Sequence, residues 1–168
     1  METPGSGGAE ELSGGPPMRN PVERPAERVV HCPDEGAALA LAAEVARTLR
    51  PGDVVALRGD LGAGKTAFAR AAVRALTGNP GEEVPSPTFT LVQTYDTPAG
   101  IVWHFDLYRL SGPDEVFELG WEEARAGGIA LVEWPDRLGT LLPARRIDVT
   151  LEATGPDARR VTVVRTDG

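Results

Sequence analysis

A three-layer α/β sandwich is the architecture this sequence predicts, with a mixed, mostly parallel central sheet and an antiparallel C-terminal hairpin. Three observations lead there. Two unbroken apolar runs, residues 54–57 and 129–132, read as strands buried on both faces, as parallel strands covered by helices are. Apolar residues recur at helical spacing in two stretches, 38–49 and 68–76. Residues 145–166 alternate apolar and polar on either side of Thr154-Gly155-Pro156-Asp157, which is a hairpin pattern.

The chain of 168 residues, 41% of them hydrophobic, has material for one domain with a substantial core. Residues 1–27 carry Gly, Pro, Ser and Glu with almost no large apolar side chains, so a disordered tail is expected there and a single domain over 28–168. No stretch approaches the roughly 20 apolar residues that cross a bilayer. The N-terminus also lacks the basic start and apolar run of a signal peptide, so a cytoplasmic location without membrane contact is expected. Cys32 is the only cysteine, which excludes an internal disulfide and a cysteine metal site. A net charge of −8 argues against tight direct binding of nucleic acid, whose affinity comes mainly from cations on phosphates.

In order, the folded part starts with a short strand at "RVVHC" and passes through Pro33-Asp34 into a helix. Asp34 suits its N-cap, and Ala38, Leu41, Ala42, Val45 and Leu49 form its apolar stripe. Pro51-Gly52 is expected to end it. The buried strand in "DVVALRG" follows, then a glycine-rich loop, then a helix whose inner face is Phe68, Ala69, Ala72, Val73 and Leu76 and whose stop is Gly78-Asn79-Pro80. "VPSPTFTLVQTY" and "IVWHFDLYRL" pair as a hairpin across "DTPAG", and "GGIALVEWPDRL" supplies the second buried strand.

The glycine loop carries the chemistry. Gly59, Gly64, Lys65 and Thr66 satisfy G-x-x-x-x-G-K-[ST] between a strand and a helix, the context a phosphate-binding P-loop requires. The expected fold is therefore P-loop NTPase-like. Glycines at 59, 62 and 64 let the backbone turn so that the N–H groups of Leu61, Gly62, Ala63, Gly64, Lys65 and Thr66 face a phosphate, aided by the positive end of the helix. Lys65 is the only lysine among seventeen Lys and Arg residues, and a compact ammonium on a flexible stem threads such a loop where a planar guanidinium does not. The Thr66 hydroxyl is placed to ligate magnesium.

Glu133 ends the strand at 129–132, where open α/β sheets put ligand groups. It can hold magnesium directly or through water, orient an attacking water, or serve as an ordinary strand-end carboxylate. Strand alternation puts His104, Asp106 and Tyr108 on one face of their segment, which reads either as a site edge or as the solvated side of an antiparallel strand. Ser86 and Thr88, in a loop fixed by two prolines, suit a switch that senses a γ-phosphate. Five acids from Asp114 to Glu123 read as a solvated helix face or as a docking surface.

"GDLGAGKT", "SPTF", "HFDLYRL", "ELG" and "LVEWP", in this order and spacing, closely resemble the TsaE family, also called YjeE, across residues 33 to 135. The resemblance implies a bacterial P-loop ATPase that binds ATP and magnesium, hydrolyses slowly, and acts with TsaB and TsaD. That complex makes threonylcarbamoyladenosine beside the anticodon of tRNA, and tRNA would be met only through it. Thr66 and Glu133 match the family's magnesium positions, Asp106 its acidic residue in the "HxDxYR" segment, and Glu35 a position near the nucleotide. Lys65, Glu133 and Asp106 are accordingly the expected catalytic set. Ala67 stands where the family often has a second threonine.

Two other classes remain compatible with these residues: a P-loop small-molecule kinase, and a docking module shaped by nucleotide without significant catalysis. A GTPase is not among them, because its Asn-Lys-x-Asp base reader needs a second lysine.

Overall fold

The computed structural model describes residues 26–167. Its elements are β1 (Ala26–Cys32), α1 (Glu35–Ala46), β2 (Val54–Arg58), α2 (Lys65–Thr77), β3 (Val92–Thr97), β4 (Gly100–Asp106), a 3-10 segment (Pro113–Leu119), α3 (Trp121–Gly127), β5 (Ile129–Glu133), a second 3-10 segment (Pro135–Leu141), β6 (Arg145–Ala153) and β7 (Arg159–Asp167). Ala26 and Glu27 belong to β1, paired with Arg165 and Val164, rather than to the tail. The disordered tail expected before them lies outside the described residues.

One seven-stranded sheet runs in the order β1-β7-β6-β2-β5-β4-β3. Its four central strands, β6, β2, β5 and β4, are mutually parallel. β7 and β3 run against them, and β1, antiparallel to β7, points with the centre. The predicted mostly parallel sheet with its C-terminal hairpin is thus present, and Thr154 N–H donates to Ala158 C=O across the hairpin turn.

Period-two alternation splits the buried strands between two cores. Val55, Leu57, Ile129, Leu131 and Val149 face α1 and α2, where they meet Leu41, Val45, Phe68 and Val73. Val54, Ala130, Val132 and Phe105 face the other side, where Val116, Trp121 and Leu138 of α3 and the 3-10 segments cover them. Helix, sheet and helix make the three layers. Each fully buried Val or Leu here contributes about 1.5–3 kcal/mol relative to exposure.

Local signals act as their chemistry dictates. Asp34 caps α1, its carboxylate accepting from Ala37 N–H at 2.9 Å. The helix ends at Ala46, earlier than Pro51-Gly52, because Thr48 and Leu49 N–H turn to the carbonyls of Val45 and Ala46 in a tightened final turn. Gly78 stops α2 in a left-handed conformation at φ 75°. Gly120, in the "ELG" segment, has φ 93°, and a Cβ there would lie 2.5 Å from the Trp103 ring. This glycine is required by packing.

Candidate functional site

The carboxyl ends of β2, β5 and β4 converge on the glycine loop. β5 and β4 are parallel and in register at their last residues, so Asp106 and Glu133 stand side by side on adjacent strands. Both are buried, with Asp106 6% and Glu133 2% exposed. Between β2 and α2 the loop turns through left-handed Gly62 (φ 81°) and Gly64 (φ 104°). Gly59 is held closest: a Cβ there would meet Leu151 C=O at 2.7 Å.

Lys65 opens α2, and its ammonium is drawn back over the loop. It donates to Gly59 C=O at 2.6 Å and Asp60 C=O at 2.9 Å, and lies 4.3 Å from the centre of the Trp134 ring. Burial lowers its pKa from the ordinary lysine value, opposed by the charges of Glu133, Asp106 and Asp60. Trp134 holds φ 59° and ψ 54°, a left-handed conformation that is unusual for a bulky residue and stores strain where the ring meets the ammonium and Tyr108.

Next to the lysine is an oxygen pair. Thr66 Oγ1 donates to Glu133 at 2.9 Å to Oε1 and 3.1 Å to Oε2. His104, fully buried, reaches the same carboxylate with Nε2 at 2.7 Å from Oε2. Since a carboxylate accepts, that nitrogen carries the proton, and Nδ1 has no partner. Burial raises the pKa of Asp106, helped by the Glu133 charge and opposed by the Tyr108 N–H it accepts, by His104 and by Lys65. His104 and Asp106 are therefore buried and do not form the solvated side of a strand; Tyr108 lies past the strand end and is exposed.

A cavity of about 180 Å³ adjoins the loop on its other side, lined among others by Glu35, Ala63, Gly64, Ala67, Asp157 and Arg159. Glu35 thus sits beside the loop, remote in sequence but next to the start of α2. The loop of Ser86 and Thr88, whose hydroxyls are 2.8 Å apart, ends at Leu91, and Leu91 C=O accepts from Asp106 N–H at 2.9 Å. Phe89 in that loop is 82% exposed, with the Arg109 guanidinium 4.9 Å from its ring centre. The acids Asp114, Glu115, Glu118, Glu122 and Glu123 face solvent, while Val116 and Trp121 between them fill the core.

Residues 32–161 match the family model described as "Threonylcarbamoyl adenosine biosynthesis protein TsaE". The chain belongs to the TsaE family. It is 46% identical over 114 residues to the tRNA threonylcarbamoyladenosine biosynthesis protein TsaE of Rickettsia bellii, covering 68% of this chain and 78% of that one. It is 43% identical over 124 residues to the protein of the same name from Rickettsia felis, covering 74% and 72%. Its fold matches the crystal structure of Bacillus subtilis YdiB with a TM-score of 0.67 at 29% identity, over 86% of this chain and 88% of that one.

For a TsaE-family chain, the donor set can be tested against a magnesium nucleotide. Among the described residues no group of three His, Cys, Asp or Glu side chains is arranged to hold a metal by itself. One hydroxyl and one or two carboxylates are what a magnesium ion takes when phosphate and water supply its other oxygens, so the residues fit. Three participants escaped the sequence reading: His104 as the partner of Glu133, Trp134 over Lys65, and Arg159 against the loop. The strand alternation placed His104 toward the site, whereas the left-handed turn at Trp134 and the 96-residue reach of Arg159 leave no local signal.

Proposed function

We propose that this chain binds ATP with magnesium at the glycine loop and hydrolyses it slowly. In doing so it would serve threonylcarbamoyladenosine formation beside the anticodon of tRNA, in complex with TsaB and TsaD. The observation that carries the reading is the pairing of the Thr66 hydroxyl with the Glu133 carboxylate at 2.9 Å, beside the chain's one ammonium and at the end of a buried parallel strand. The curated relatives' names supply the pathway.

Each residue then has a task. The backbone N–H groups of Leu61, Gly62, Gly64, Lys65 and Thr66 and the Lys65 ammonium would hold phosphate oxygens, whereas Ala63 N–H, expected among them, donates to Asp60 C=O at 3.0 Å. Thr66 and Glu133 would hold magnesium, whose charge, when bound, offsets that building on the phosphate oxygens as the bond breaks. His104 fixes the rotamer of Glu133 by donating to it. Asp106, partly deprived of solvent, is placed to accept a proton or align a water. The Ser86–Phe89 loop, bonded through Leu91 to the Asp106 backbone, connects this centre to the exposed Phe89 surface. Switching by a γ-phosphate and docking of partners are both served by such a link. The net charge of −8 leaves the contact with tRNA to the partners.

ATP turnover measured with and without the TsaB–TsaD complex tests this. Feeble hydrolysis alone and a clear rise with the complex are expected. Equal rates would remove the partner-gated role.

A further inference from the structure

Resting on the nucleotide-binding reading above, we propose that Arg159 is a positioning residue for the phosphate loop, through which the C-terminal hairpin keeps the loop in its binding shape. Arg159 opens β7, directly after the hairpin turn, and belongs to none of the motifs quoted for the family. Its Nε donates to Ala63 C=O at 2.9 Å, and Nη2 lies 3.5 Å from Gly62 C=O. Nη1 donates to Ala158 C=O at 2.9 Å, which fixes the guanidinium against its own turn.

The consequence follows from peptide geometry. No cis peptide occurs among the described residues, so in each peptide unit the carbonyl and the following N–H point opposite ways. Drawing Ala63 C=O outward onto Arg159 sends Gly64 N–H inward, toward the face where a phosphate is received. The preceding unit turns the same way, but Ala63 N–H is already spent on Asp60 C=O at 3.0 Å. Gly64 N–H is therefore the donor that Arg159 aims. Gly64 suits this turn because its φ of 104° is a conformation that glycine adopts freely and other residues rarely do. A guanidinium also offsets two carbonyl dipoles that otherwise oppose an anion, and its planar fork reaches both where an ammonium reaches one.

Three proteins, wild type, Arg159→Ala and Arg159→Lys, are compared by calorimetric titration with magnesium and ADP, by thermal melting without nucleotide, and by the Gly64 amide signal in a 15N-labelled sample. Loss of a charge-assisted bond that orients a donor predicts affinity weaker by about tenfold in Arg159→Ala and an intermediate loss in Arg159→Lys. At saturating ATP the turnover number should stay near that of wild type, because Arg159 touches no reacting atom. The Gly64 amide signal should move and its exchange with solvent should quicken, with no nucleotide present. Affinity within twofold of wild type in Arg159→Ala overturns the proposal. So does a loss in both variants that tracks a lowered melting temperature while the Gly64 signal stays in place. If Arg159→Ala does not fold, Arg159→Lys decides by the same criteria. If wild type itself takes up no nucleotide, the functional reading fails separately, and an unmoved Gly64 signal in the variants then overturns the positioning role as well.

Discussion

At the scale of single residues, four buried polar groups, Lys65, His104, Asp106 and Glu133, gather beside the loop, and His104 holds Glu133 in place. Glu133 is buried with two donors on it, His104 Nε2 and Thr66 Oγ1. Its replacement by alanine should cut ATP hydrolysis far more than nucleotide affinity, because the loop's backbone N–H groups and Lys65 remain; single-turnover rates beside binding constants will separate the two. Full turnover in that variant would take Glu133 out of the chemistry. Asp106 differs, since burial raises its pKa. A carboxyl whose folded pKa exceeds its unfolded one stabilises the fold below the ordinary carboxylate range, and that stability is lost as pH rises through the folded value. Above that value the buried charge is therefore a burden on the fold. Asp106→Asn keeps the acceptor for Tyr108 N–H and removes the charge, so it should raise the melting temperature of nucleotide-free protein by a few degrees while lowering hydrolysis. A lower melting temperature would contradict this account of the site.

At the scale of elements, the strand–loop–helix unit from β2 to α2 could be read in the sequence because glycine spacing, a buried run and helical periodicity agree over consecutive residues. The loop's shape depends on more than its own glycines. Gly59, at φ 149°, presses on Leu151 of β6, and Arg159 of β7 holds the loop's carbonyls. Gly59→Ala would drive a Cβ into a backbone carbonyl, so the loop must shift; nucleotide affinity should fall by an order of magnitude or more while circular dichroism still reports the folded sheet. Unchanged affinity would mean that the loop tolerates a different path. The hairpin of β3 and β4 was equally legible from alternation and its turn. The burial of β4 was not, because sequence alternation alone cannot tell that β4 lies inside the sheet between β3 and β5 with its His104 face covered.

At the scale of the whole molecule, the central parallel strands bring Arg58, Glu133 and Asp106 to their carboxyl ends, next to the loop that carries the lysine. Lys65, Thr66, Glu133 and Asp106 were legible as candidates because each sits at the end of a recognisable element. Arg159 and Trp134 were not legible, since a 96-residue side-chain reach and a left-handed turn on a tryptophan are products of the assembled sheet. The end of α1 moved for a similar reason: Leu49 stays buried outside the helix, so its place in the apolar stripe did not report the helix boundary. What unifies the molecule is one ammonium among guanidiniums, held over a glycine loop and within reach of two buried carboxylates. Calorimetric titration of the protein and of Lys65→Ala with ATP, each with magnesium and with EDTA, tests this most directly. Heat of binding in wild type that weakens without magnesium and is lost in Lys65→Ala is the predicted result; no heat at millimolar ATP, or the same affinity in both proteins, would contradict it.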